Sequence, residues 1–272
     1  MFNTPFVQAP LFQDVKNLLD QIPHKYVQRG SGHMKHELDA LAQDFKKWIL
    51  PIVDLQNFAH CYSIAGVTDA INQFSATTNE YQSMPGDYEW LNRVRKGTTN
   101  SIDQLDKNKT LYLSIPQCYN GNFVDDSVID IIDSVGCDVV VDCAYLGATA
   151  IRKIRLPVRT TQVWFGFSKG WGLIGNRLGL AFTTQEHPTL NPMYNVECFN
   201  YTNTKIMHTI IKNYSCEQQY NRMHVLQKQI CDQYNIMPSD TYFLATSTDE
   251  KYHERRRLGN VARLCITEMF SK

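Results

Sequence analysis

Several classes of protein drop out on what this chain does not carry. No apolar stretch approaches the roughly 20 residues a membrane helix needs. Its 27 lysines and arginines are matched by 27 aspartates and glutamates, so no net charge favours nucleic acid or an anionic membrane. No CxxC pair occurs among the eight cysteines, and several of them lie inside apolar runs. Reduced, mostly buried thiols in a cytoplasmic protein are therefore expected, not disulfides. The eight histidines show no ligand spacing with those cysteines, so no metal is expected. The opening MFNTPFVQAP has no basic region ahead of an apolar core, and no signal peptide is expected. Repeats and low-complexity segments are also missing. What remains is 272 residues, 43% hydrophobic and 20% charged, enough for one large or two small domains with a real core.

The middle of the chain alternates strand and helix patterns. Thr110 to Ile115 and Cys137 to Cys143 read as strands, the second nearly continuous in apolar residues, as in parallel sheets covered on both faces. Asp125 to Val135 between them has helical spacing, and so does His33 to Leu50 earlier, which Pro51 stops. Residues 184 to 204 are polar and irregular; a long helix is expected from about Ser215 to Asn235, with strands at Asp240 to Ala245 and Ala262 to Thr267. The expected fold class is α/β: a mainly parallel mixed sheet flanked by helices, plus a small α+β C-terminal domain. The expected divisions are an N-terminal helix and arm at 1–30, a large domain at 31–184 and a small one at 185–272.

The most telling stretch is Val163 to Phe182, VWFGFSKGWGLIGNRLGLAF. An apolar strand ends at Ser168-Lys169, three glycines follow, and Arg177 precedes a second apolar run. A lysine at such a strand end loses hydration, which favours the neutral, nucleophilic amine. Arg177 lies eight residues on, across a glycine-rich turn, and its planar fork suits a phosphate. Asp142 ends another apolar strand, where ligands of open α/β sheets bind, though strand-end aspartates also cap turns.

The run Ser168-Lys169-Gly170-Trp171-Gly172-Leu173-Ile174-Gly175-Asn176-Arg177-Leu178-Gly179 resembles the cofactor-lysine segment of the class I/II aminotransferases, pyridoxal-phosphate (PLP) enzymes of fold type I. Further resemblances follow in family order. Asp142-Cys143-Ala144-Tyr145 is similar to the family's Asp-x-Ala-Tyr, and Gly66-Val67-Thr68 to its phosphate turn. Pro85-Gly86-Asp87-Tyr88 is similar to the segment whose aromatic ring stacks on the cofactor, with one residue more than usual and Trp90 as a competitor. Val261 to Ile266 resembles the strand presenting the substrate-carboxylate arginine, here Arg263, although a structural ion pair would account for it equally.

The resemblance implies pyridoxal 5'-phosphate as cofactor and an aminotransferase acting on an amino acid/2-oxo acid pair. Lys169 would hold the aldehyde as a Schiff base, Asp142 the ring nitrogen and Tyr145 the ring oxygen. Gly66, Val67, Thr68, Ser168 and Arg177 would bind the phosphate, and Tyr88 would stack on the ring. A homodimer is implied, with Tyr26 reaching the partner's site. The same parts serve lyases, racemases and decarboxylases, or a reduced homologue that binds the cofactor without turnover. Two departures stand out. Cys118 holds the family's asparagine position, with Asn120 as its stand-in if the loop path differs, and Gly166 replaces a phosphate serine. The charged run Lys251 to Arg257 reads as a solvated loop; a second acidic group on a substrate would suit one of its arginines, but nothing in the sequence selects which.

Overall fold

The computed structural model describes residues 7–22 and 32–270. Seven strands form the larger sheet: β1 (His60–Ile64), β2 (Tyr81–Ser83), β3 (Thr98–Thr99), β4 (Thr110–Ser114), β5 (Val139–Cys143), β6 (Thr160–Gly166) and β7 (Gly179–Thr183). Their spatial order is β1-β7-β6-β5-β4-β2-β3. β7 is antiparallel to both its neighbours, and every other adjacent pair is parallel. The mainly parallel mixed sheet expected from the sequence is therefore present.

Alternation along the central strands explains why this sheet is apolar on both faces. Successive side chains point to opposite sides. Val139 and Val141 thus join one cluster with Leu111, Leu113, Phe165 and Phe182, while Val140 joins Tyr112, Trp164 and Ala181 on the other face. The nine helices described are α1 (Gln13–Asp20), α2 (His33–Ile49), α3 (Val67–Thr77), α4 (Trp90–Val94), α5 (Asp126–Val135), the one-turn α6 (Phe167–Gly170), α7 (Leu190–Asn195), α8 (Tyr201–Asn213) and α9 (Gln218–Tyr234). α2 brings Leu38, Leu41, Phe45 and Ile49 to the first face, and α3 brings Ile71 and Phe74 to the second.

The stretch expected to be irregular, 184 to 204, instead holds α7 and the start of α8. α8 packs along α2 and adds Ile206, Met207 and Ile210 to the same core as Phe45 and Phe165. Four short strands, β8 (Met237–Pro238), β9 (Leu244–Ser247), β10 (Arg256–Leu258) and β11 (Val261–Cys265), make an antiparallel sheet in the order β10-β11-β9-β8. β9 begins later than the expected Asp240. The amide of Gln227 donates to the carbonyls of Ser239, Thr241 and Leu244, so this segment turns before it pairs. No described helix is long and apolar enough to cross a membrane.

Candidate active site

The carboxyl ends of the parallel strands meet in one cleft, where open α/β sheets bind ligands. β5 delivers Asp142, β6 runs into α6 with Ser168 and Lys169, and β1 runs into the Gly66 turn that starts α3. These residues line the cleft together with Val67, Thr68, Tyr88 and Arg177. The sequence thus places four separated segments on one wall only because the strand order brings their ends together.

The lysine turn is held from both sides. Ser168 Oγ accepts the Leu178 N–H at 3.2 Å. The Ala9 N–H donates to the Lys169 carbonyl at 2.7 Å, and a side chain on Gly172 would come within 2.5 Å of the Leu11 nitrogen. A glycine is needed there, both for this crossing and for its φ of +69°. Lys169 Nζ lies 4.7 Å from the ring centroid of Tyr145 and 5.2 Å from that of Tyr88. Desolvation pulls its pKa below the ordinary lysine value, against the opposing pull of Cys118 and Asp142.

Asp142 is 5% exposed. Its Oδ2 accepts the Tyr112 hydroxyl at 2.6 Å and its Oδ1 the Ala144 N–H at 2.8 Å. Burial raises its pKa, opposed by the Tyr112 hydrogen bond and the charge of Lys169. Among the described residues, no lysine, arginine or histidine nitrogen is within 4.0 Å of it. Tyr112 was not singled out from the sequence. It lies diagonally across from Asp142, since Tyr112 pairs with Val140 and Ser114 with Asp142, and only the adjacency of β4 and β5 reveals that contact.

At the other end of the cleft, α3 begins at Gly66, whose φ is +74°. The first N–H groups of the helix, Val67 and Thr68, have no carbonyl one turn back. The Arg177 guanidinium packs over this turn: a Cβ on Gly66 would meet its Nη2 at 3.1 Å. The Arg177 carbonyl is tied to α8 by the Asn203 amide at 3.2 Å. Two donors, a hydroxyl and a guanidinium thus converge at the positive end of a helix. Gly166 lines the same wall, and a Cβ there would sit 3.5 Å from Val67 Cγ2, so the family's serine has room that this chain leaves unused.

Tyr88, not Trp90, faces this cleft; the Trp90 indole donates to Asn72 at 3.2 Å. Asn120 is not brought to it. Its side chain is spent within its own loop, donating to Gln117 at 3.3 Å and accepting the Asn122 N–H at 2.9 Å. Cys118 lies against Arg263. Arg263 reaches from β11 to donate to the Cys118 carbonyl, to Cys118 Sγ at 3.2 Å and to the Tyr145 hydroxyl at 3.1 Å. Burial would lower the pKa of Arg263, but Tyr145 and Cys118 outweigh it and raise it. Tyr145 itself is raised, first by burial. Tyr26 lies outside the described residues.

No family model matches the chain, and no curated protein matches it in sequence. Solved structures do match it in shape. An aminotransferase from Staphylococcus aureus superposes with a TM-score of 0.65 at 12% identity, over 97% of this chain and 88% of that one. Histidinol-phosphate aminotransferase from Sinorhizobium meliloti, in complex with pyridoxal-5'-phosphate, gives 0.66 at 14% identity, over 95% and 84%. A putative histidinol-phosphate aminotransferase from Erwinia carotovora atroseptica gives 0.67 at 16%, over 97% and 91%. Identities this low speak to architecture alone, and on that ground the chain has the fold of the fold type I aminotransferases.

Proposed function

We propose that this chain is a pyridoxal-phosphate-dependent aminotransferase acting on an amino acid/2-oxo acid pair. The observation that carries the reading is the pairing of Asp142, a buried carboxylate with no cation within 4.0 Å among the described residues, with the desolvated amine of Lys169 across the same cleft. A protonated pyridine nitrogen is the kind of partner such a carboxylate needs. The donors at Val67, Thr68 and Arg177 fit a phosphate monoester at the far end.

Bound there, the cofactor supplies an aldehyde for amines and a ring that withdraws electrons from the substrate α-carbon. Lys169 would hold the aldehyde through its amine and, once released by the substrate amine, act as general base and then general acid for the α-proton. Its lowered pKa favours both roles, because desolvation weakens its hold on the proton that the amine must take up and give back. Asp142 would keep the ring nitrogen protonated, with Tyr112 and the Ala144 N–H fixing its two oxygens. Tyr88 offers a ring face, Tyr145 a hydroxyl, and Arg263 a guanidinium for the substrate carboxylate. A homodimer with Tyr26 completing the partner's site belongs to the same reading.

Cys118 favours a second reading, in which the chain binds cofactor without turnover, because a thiol beside Arg263 occupies the place of the family's asparagine. The experiment that separates the two is a single-turnover assay. Cofactor-loaded protein is mixed with a panel of amino acids, and 2-oxo acid is measured against protein concentration. The aminotransferase reading predicts close to one equivalent from at least one amino acid; ammonia release points to a lyase, and no product from any amino acid supports the second reading.

A further inference from the structure

Sharing Tyr88 with the cofactor cleft is a second concavity, of which the proposed chemistry uses Tyr88 and Arg263 but not the arginines Arg93 and Arg257. Trp90, Tyr119, Cys118 and Arg263 line it, together with the more exposed Arg93 and Arg257. Arg263 lies inside, its guanidinium against Tyr145. Arg257 is 43% exposed. The two come from neighbouring antiparallel strands, β11 and β10. One guanidinium therefore sits deep, where a substrate α-carboxylate belongs on the aminotransferase reading, and another sits outward, where the substrate side chain would end.

The outer guanidinium is under-used. The only partner of Arg257 among the described residues is Glu89, whose Oε1 is 3.8 Å from Nη1, too far for a hydrogen bond. Glu89 is shared, because its Oε2 lies 3.1 Å from Arg93 Nη2. Two guanidiniums thus divide one exposed carboxylate at the mouth. The other acid on the wall, Asp87, has its pKa pushed up to about 7, mainly by burial, so part of its charge is missing near neutrality. The balance of the concavity is cationic, and the outer forks of Arg93 and Arg257 hold one carboxylate between them.

We propose that Arg257, backed by Arg93, is a specificity-determining residue that takes the distal acidic group of a substrate whose α-carboxylate sits on Arg263. The substrate class is then an acidic amino acid and its 2-oxo acid, a refinement that rests on the aminotransferase reading. Glu89 acts as the place-holder for that distal acid: it keeps the two guanidiniums apart from solvent anions and yields one of them when a better-placed carboxylate arrives. Trp90 and Tyr119 supply flat walls for the methylenes between the two acids.

The test uses the cofactor-free protein in phosphate buffer, added to fill the Arg177 end, and reads binding by calorimetry. Glutarate is the dianion probe and butyrate the monoanion control. Glutarate is expected to bind roughly ten-fold more tightly than butyrate, the worth of one charge-assisted pair. Arg257→Ala should erase that difference while butyrate affinity stays within about two-fold. Arg263→Ala should weaken both ligands, and Glu89→Gln, which frees both outer guanidiniums, should tighten glutarate alone. Equal binding of the two ligands to the wild type, or an equal loss of both in Arg257→Ala, overturns the proposal. Because no cofactor is present, failure of the aminotransferase reading appears separately, as protein that discriminates dianions yet forms no 2-oxo acid when loaded.

Discussion

A buried carboxylate without an ion-pair partner lowers the stability of the protein that carries it, and Asp142 has no cation within 4.0 Å among the described residues. Its pKa is raised in the folded state, so its contribution is most favourable below the unfolded aspartate value and is lost as pH rises through the folded one. Asp142→Asn removes that penalty. Without cofactor, the variant is expected to melt at or above the wild-type temperature near pH 7, with a gap that narrows on acidification. Cofactor affinity should fall by at least about ten-fold, since a charged partner for the ring nitrogen has gone. Thermal melts across pH, and a cofactor titration, check both halves; a variant that is less stable at high pH and binds cofactor normally contradicts the role. Lys169, Arg177 and Asp142 were legible in the sequence because each is a charge set at the end of an apolar run, where burial makes charge conspicuous. Tyr112 was not, since a tyrosine within a strand is unremarkable until the neighbouring strand is known. The direction of the Asn120 side chain was not legible either, because spacing along a loop does not say which way the loop turns.

At the scale of elements, the contact between α2 and α8 adds a polar cluster to its apolar stripe. His208, only 4% exposed, faces Glu37 Oε1 with Nδ1 at 2.7 Å and Asp44 Oδ2 with Nε2 at 3.0 Å, while Lys205 also reaches Glu37. Desolvation would raise the pKa of Glu37, but its bonds to Lys205 and His208 prevail and lower it. A lowered carboxylate stabilises the fold above its unfolded pKa and ceases to do so as pH falls through its folded value. Glu37→Gln is therefore expected to cost about 1–3 kcal/mol at pH 7, measured by denaturant unfolding. That cost should shrink on acidification below the ordinary glutamate value of 4.5; a pH-independent difference contradicts the assignment. The same cluster explains why α8 escaped notice. The buried set of α8 includes Asn203, Thr204 and His208, whose hydrogen bonds let polar residues take core positions, and this blurs the apolar periodicity that marks a helix. The Val139–Val141 part of β5 and the Val163–Phe165 part of β6 stand out for the opposite reason: both faces are covered there, so these runs are apolar.

Over the whole molecule, the sheet order does what no single motif can. It sets β1, β4, β5 and β6 with their carboxyl ends on one side, so a phosphate turn, a carboxylate and a lysine, spread from Gly66 to Lys169 in the sequence, line one cleft. The antiparallel β9–β11 sheet then lays Arg263 against Tyr145 from outside. The family order of motifs made that convergence legible in outline, but the path of the 117–122 loop, which ties the Asn120 side chain within the loop and sets Cys118 against Arg263, rests on contacts that only the folded chain makes. The central claim is that the amine at position 169 carries the cofactor. The most direct measurement is borohydride reduction of the protein incubated with pyridoxal phosphate, followed by peptide mass spectrometry of wild type and Lys169→Ala. The account predicts one pyridoxyl adduct, on Lys169, and none in the variant; label spread over surface lysines, or retained in Lys169→Ala at the wild-type level, contradicts it.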